Sequence, residues 1–182
     1  MPSALSFEEL TLDLNAPQQA QLQRGEILRT GQLGEYRVWS LVEATPEVVW
    51  SVLTDYEGFP QFLPSVAACR VRSRQHNRVI VERKDRRKMG WMPIKVRLVT
   101  ENVERYPERI DYRMVEGSLE SMEGAWRLAH VTHERGARTL LVQHIVAQAN
   151  LGPLQSYFYE VFETGLVETM ADLRTEIERR AG

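Results

Sequence analysis

Residues 45–64 read TPEVVWSVLTDYEGFPQFLP, and two kinds of backbone signal meet inside that stretch. The first half is built for a helix. Thr45 supplies an N-cap hydroxyl, Pro46 takes the first helical position, where a missing N–H costs little, and Glu47 puts an acid in the first turn. Val48, Val49, Val52 and Leu53 form the apolar stripe of a short helix, with Trp50 on its flank. The second half, Tyr56 to Pro64, packs three aromatics, a leucine and two prolines around Gly58. It is apolar enough to be buried, yet its prolines and glycine forbid a long helix or a central strand. The stretch therefore predicts one short helix, then a second short, stiff, proline-bounded turn holding Phe59 and Phe62 against an apolar neighbour.

On both sides of it the period is two. Upstream, Tyr36–Ala44 alternates as a strand, with Tyr36, Val38, Ser40 and Val42 on one face and Trp39 and Leu41 on the other. Downstream come six strand-like runs, at 66–74, 78–84, 92–100, 109–115, 124–131 and 139–149, joined by turn-like clusters such as 75–77, 106–108 and 134–136. Links this short make antiparallel neighbours. From Pro153 the period returns to 3.6. Leu154, Phe158, Phe162, Leu166, Met170, Leu173 and Ile177 line one side of a helix reaching about Arg179. A long amphipathic helix after an antiparallel sheet must bury its stripe on that sheet. A sheet of about seven strands curls, and one straight helix cannot touch all of its concave side. A gap follows, walled by the aromatics of the helix's first half, with Gly165 leaving room beside them. The fold class is α+β: a curved antiparallel sheet of about seven strands around a long C-terminal helix, with two short helices after the first strand. Residues 1–35 show no sustained period and read as an extension packing on a domain spanning 36–182, with one helical turn at Glu8–Leu10.

Composition narrows the function classes. Of 182 residues, 43% are hydrophobic and 26% charged, ordinary globular usage. No apolar run reaches the roughly 18 residues of a membrane span. The first thirty residues carry acids and no signal-peptide core, so a cytoplasmic location is expected. Cys69 is the only cysteine, which leaves no internal disulfide or thiolate metal site. His76, His130, His133 and His144 lack metal-ligand spacing, and nucleophile elbows and phosphate loops are missing; neither metal nor cofactor is expected. Between Arg70 and Lys88 nine basic residues face two acids, so this stretch carries +7 within a chain of net charge −2. It is either the solvated face of a hairpin or a patch for an anionic membrane, ribosome or RNA.

The chain resembles the START-related superfamily, in its branch of polyketide cyclase/dehydrase-like and coenzyme Q-binding-like proteins. The resemblance is carried by residues 43–56, EATPEVVWSVLTDY, running into Phe59–Pro64, and by VEGSL at 115–119 followed by EGAWRL at 123–128. It covers about Tyr36 to Arg179 and implies a helix-grip fold with a hydrophobic cavity between helix and sheet. It also implies binding or carrying of a lipid, quinone or polyketide-like molecule. A polyketide cyclase/dehydratase activity and a ribosome- or RNA-associated role are alternatives, because one fold hosts many functions. The expected lining is Phe59, Phe62, Trp91, Tyr112, Met114, Trp126, Phe158 and Phe162, with Arg83 or His130 fixing a polar head group. A cavity of at least ~300 Å³, left dry and empty, would cost about 7 kcal/mol at ~24 cal/mol per Å³. That rivals the stability of a whole domain, so the gap must be collapsed, wet or occupied, and an apolar lining favours an apolar occupant. The oligomeric state is not readable from these residues.

Overall fold

The computed structural model describes residues 6–133 and 136–182; Glu134 and Arg135, in the turn expected at 134–136, lie outside them. Helices α1 (Phe7–Leu10) and α2 (Ala16–Gln23) open the described chain, followed by strands β1 (Leu28–Gln32) and β2 (Glu35–Val42). Next come α3 (Pro46–Leu53), a 3₁₀ turn at Tyr56–Gly58 and α4 (Phe59–Phe62). Six strands follow: β3 (Val66–Gln75), β4 (Arg78–Met89), β5 (Met92–Arg105), β6 (Arg109–Gly117), β7 (Ser121–His133) and β8 (Gly136–Gln148). A 3₁₀ turn at Gly152–Leu154, which holds Pro153, leads into α5 (Gln155–Ala181).

The strands form one curved, open antiparallel sheet in the order β1-β2-β8-β7-β6-β5-β4-β3. All seven expected strands are present. The eighth, β1, pairs with β2 through a two-residue turn at Leu33 and Gly34, both with positive φ. Its sequence LRTGQ has no apolar alternation and its side chains are half-buried or exposed, as suits an edge strand, so period two could not reveal it.

Two apolar cores lie on opposite faces of the sheet. On the inner face Tyr36, Val38, Leu98, Ile110, Leu128, Leu141 and Ile145 pack against Leu166, Met170, Leu173 and Ile177 of α5. On the outer face Trp39, Leu41, Ala129, Leu140 and Val142 are covered by Leu10, Leu14 and Leu22 of α1 and α2. The two faces of β2 thus bury different partners, as its alternation predicts. Both N-terminal helices start on capping boxes, Ser6 with Glu9 and Asn15 with Gln18. The Trp39 Nε1–H donates to the Leu10 carbonyl at 2.8 Å, tying them to the sheet.

The outer face of β3–β6 is held by ions instead. Glu82 accepts from Nε of Arg97 (2.7 Å), Arg70 (2.7 Å) and Arg72 (3.1 Å). These hydrogen bonds, that from Arg97 foremost, hold its carboxyl down at about 2. Glu101 accepts from Arg78 (2.8 Å) and Arg113 (2.7 Å) on this outer face, while on the inner face Glu104 accepts from Arg74 (2.8 Å). Much of the basic stretch is therefore a paired strand face. Among the described residues its cations without an ion pair gather at the β4–β5 hairpin: Lys84, Arg86, Arg87 and Lys88, with Lys95 on the facing strand.

Candidate functional site

Between α5 and the sheet lies a cavity of about 180 Å³. One end is closed by the signature stretch: Leu53, Tyr56, Phe59 and Leu63 are in its wall. Asp55 binds Arg180 Nη2 at 2.7 Å, anchoring that stretch to the end of α5. Tyr56, whose Oη donates to Glu104 at 3.0 Å, meets Phe59 edge-on, and Phe59 meets Phe62 in the same way. At the other end, Ile94 and Val96 of β5 face Phe158, Val161 and Phe162 of α5 across the space. Phe158 and Phe162 stack with centroids 5.5 Å apart, and Phe162 leans on Tyr36 at 5.9 Å. The cavity is smaller than the ~300 Å³ expected of a ligand pocket.

Polar groups enter the apolar wall at two places. Deep in the sheet, Tyr112 Oη donates to the His144 carbonyl and accepts from Gln143 Nε2, both at 3.2 Å. Burial pushes the Tyr112 pKa well above its ordinary 10. Gln143 Oε1 is buried with no partner. Gly124 makes this approach possible, since a Cβ there would stand 2.6 Å from Tyr112 Oη and 2.1 Å from the His144 carbonyl oxygen. Nearer the β4–β5 hairpin, Arg83, Asp85 and Arg87 alternate along β4, and all three reach the wall. Arg83 Nη2 donates to Asp85 Oδ2 at 2.9 Å, while Asp85 Oδ1 is buried without a partner. Arg87 lies against Gly165, where a Cβ would meet its Nη1 at 2.8 Å. A helix-interior glycine costs roughly 0.5–1 kcal/mol relative to alanine, and here the space it frees seats a guanidinium. Burial lowers the Arg87 pKa, with Asp85 the strongest opposing influence.

Of the residues expected to line the site, Phe59, Arg83, Tyr112, Trp126, Phe158 and Phe162 stand in the wall, whereas Phe62, Trp91, Met114 and His130 stand off it. Phe62 turns beneath Arg180, 5.2 Å from guanidinium to ring. Trp91 is 92% exposed at the β4–β5 turn. Met114 packs on the inner core, with its sulfur where a Gly117 side chain would be. His130 is exposed near Glu47 at the start of α3. Sequence reading missed Asp85, Arg87, Asn102 and Gln143. The signal existed for two of them: Asp85 and Arg87 continue the period of Arg83, but a strand ended at Lys84 concealed it. Cys69, half-buried beside Tyr56, Val79 and Val81, has its thiol pushed up to about 11 by burial.

Residues 42–172, well over half the chain, match the family described as polyketide cyclase / dehydrase and lipid transport. The chain belongs to this family. Solved structures carry the same fold, although no curated protein sequence matches the chain. This polyketide cyclase family member resembles the protein TTHA0849 from Thermus thermophilus, with TM-score 0.66 and 19% identity over 80% of this chain and 98% of that one. It is similar to the Zhui aromatase/cyclase from a Streptomyces species, with TM-score 0.65 and 18% identity over 86% and 97%. A STAR-related lipid transfer protein from Xanthomonas axonopodis matches with TM-score 0.61 and 16% identity over 83% and 90%. At such identities these likenesses speak for the polyketide cyclase family's fold alone.

Proposed function

We propose that the protein binds or carries a hydrophobic small molecule, of quinone, isoprenoid, fatty acyl or polyketide-like type, between α5 and the sheet. The observation that carries the reading is a cavity of about 180 Å³ walled mainly by aromatic and aliphatic side chains. Empty and dry, that volume would cost about 4 kcal/mol at ~24 cal/mol per Å³, and an apolar occupant removes the cost. The family description, which includes lipid transport, agrees with it.

A cyclase or dehydratase needs a titratable group at the substrate. Among the described residues the wall offers one carboxylate, Asp85, and its Oδ2 is tied to Arg83. Tyr56 and Tyr112 have pKa values raised by burial, and His130 and His144 lie outside the wall. Binding is therefore preferred to turnover. A ribosome or RNA role loses support because Arg70, Arg72, Arg74 and Arg78 are engaged by acids.

The β4–β5 hairpin favours contact with an anionic bilayer surface. The chain's three lysines, Lys84, Lys88 and Lys95, all lie on it. Arg86 stands opposite Lys95 in register, an unfavourable like-charge pair that an external anion would relieve. Trp91 and Met92, 92% and 46% exposed, project at the turn, and tryptophan favours the headgroup boundary. No described helix is long and apolar enough to cross a membrane. The setting proposed for this contact is the cytoplasmic one expected from the sequence.

Native mass spectrometry of the gently purified protein tests the reading. Co-purified lipid-like species, displaceable by added quinone or fatty acid, are expected. A protein carrying none and taking up no apolar probe would refute it.

A further inference from the structure

We infer that Arg87 forms an anion-binding subsite in the cavity wall, so that the preferred occupant is an amphiphile ending in a carboxylate or phosphate. The inference rests on the binding function proposed above and names its ligand class.

Arg83, Asp85 and Arg87 carry two positive charges and one negative. Arg83 spends its charge on Asp85 at 2.9 Å. Arg87 makes no ion pair or hydrogen bond among the described residues, although a guanidinium brings five N–H donors. Asp85 on its own strand and Glu168 and Asp172 on α5 influence it through space without a contact. Gly165 clears the facing helix for it, because any side chain there would begin 2.8 Å from Nη1.

Apart from Arg83, Asp85 and Thr169 the wall at this end is apolar, with Ile94 directly opposite Arg87 in register and Val96, Phe158 and Val161 in the same lining. A hydrocarbon chain lying there would strip water from Arg87 and return no hydrogen bond, and a neutral hydroxyl or carbonyl would return only uncharged ones. A carboxylate or phosphate would meet the planar fork with paired charge-assisted bonds while its chain runs on toward Phe59 and Leu63. Arg83 cannot take this role without releasing Asp85, whose Oδ1 already has no partner.

The test is a calorimetric titration of decanoate, decyl phosphate and 1-decanol into wild type, Arg87→Met, Arg87→Lys and Gly165→Ala. Wild type is expected to bind at least one of the two anions tenfold or more tighter than decanol, and the better anion tells carboxylate from phosphate. Arg87→Met should bring that anion within about twofold of decanol, measured on the same variant. Arg87→Lys should restore part of the preference. Gly165→Ala, which favours the helix but displaces the guanidinium, should weaken the anion selectively. Equal affinity for anion and alcohol in wild type, or a preference that survives Arg87→Met, would overturn the subsite while leaving the binding function standing. Failure of all three molecules to bind would overturn both.

Discussion

Replacing Val161 with phenylalanine asks whether the space beside α5 is the binding space. Val161 is half-buried on the wall formed by the first half of the helix. The substitution adds four carbons, about 50 Å³, to a cavity of about 180 Å³. At ~24 cal/mol per Å³ the filling should stabilise the unliganded protein by about 1.2 kcal/mol. For a chain of this size that is a rise in Tm of roughly 2–5 °C. The same ring should exclude ligand and lower its affinity at least tenfold. Thermal unfolding of delipidated protein gives the first number and displacement of a neutral fluorescent probe the second. A variant that binds the probe as tightly as wild type refutes the assignment of the cavity. One that is destabilised by more than about 1 kcal/mol shows that the wall is already close-packed at this point.

Three further outcomes follow from contacts described above. Glu82 is held at about 2 against an ordinary 4.5 by its arginines, so its contribution to stability is complete above about 4.5 and is lost as pH falls toward 2. Glu82→Gln should therefore flatten the acid-unfolding curve between those values, and an unchanged curve in circular dichroism would contradict this. Trp39→Phe removes the buried 2.8 Å bond to the Leu10 carbonyl and should cost about 1–3 kcal/mol, with faster proteolysis within α1 and α2; a cost below about 0.5 kcal/mol would mean that the bond is replaced. Trp91→Ser should leave stability within about ±0.5 kcal/mol yet abolish flotation with phosphatidylserine vesicles at low salt, and retained flotation removes the hairpin from the proposed bilayer contact.

The parts of the fold legible in the sequence were those with a strong local signal. Thr45, Pro46 and Glu47 announce α3, the stripe from Phe158 to Ile177 announces α5 although its first expected member, Leu154, is exposed in the preceding turn, and the alternation of β2 assigns Val38 and Trp39 to opposite cores. Strand β1 carried no such signal because an edge strand buries too little to need a pattern. The cavity wall was legible by residue type where the side chain is aromatic, as with Phe59, Trp126 and Phe158. It was obscure where position depended on strand length: Arg87 looks like one more member of a basic run until β4 is known to extend to Met89. Phe62 shows the opposite limit. Its proline-framed neighbourhood matches that of Phe59, and only the arrival of Arg180 from the far end of the chain decides that it faces elsewhere.

The two halves of the sheet's outer face have different mechanics. Strands β2, β8 and β7 are clamped between α5 and the N-terminal helices, and hydrocarbon contacts of that kind are indifferent to moderate salt. Strands β3 to β6, which border much of the cavity, are braced from behind by arginine–carboxylate pairs that added electrolyte screens. Ionic strength should thus soften one half of the sheet and leave the other stiff. Exchange of a ligand would then quicken with salt while the global unfolding temperature barely moves, a dependence that a uniformly backed sheet would not show.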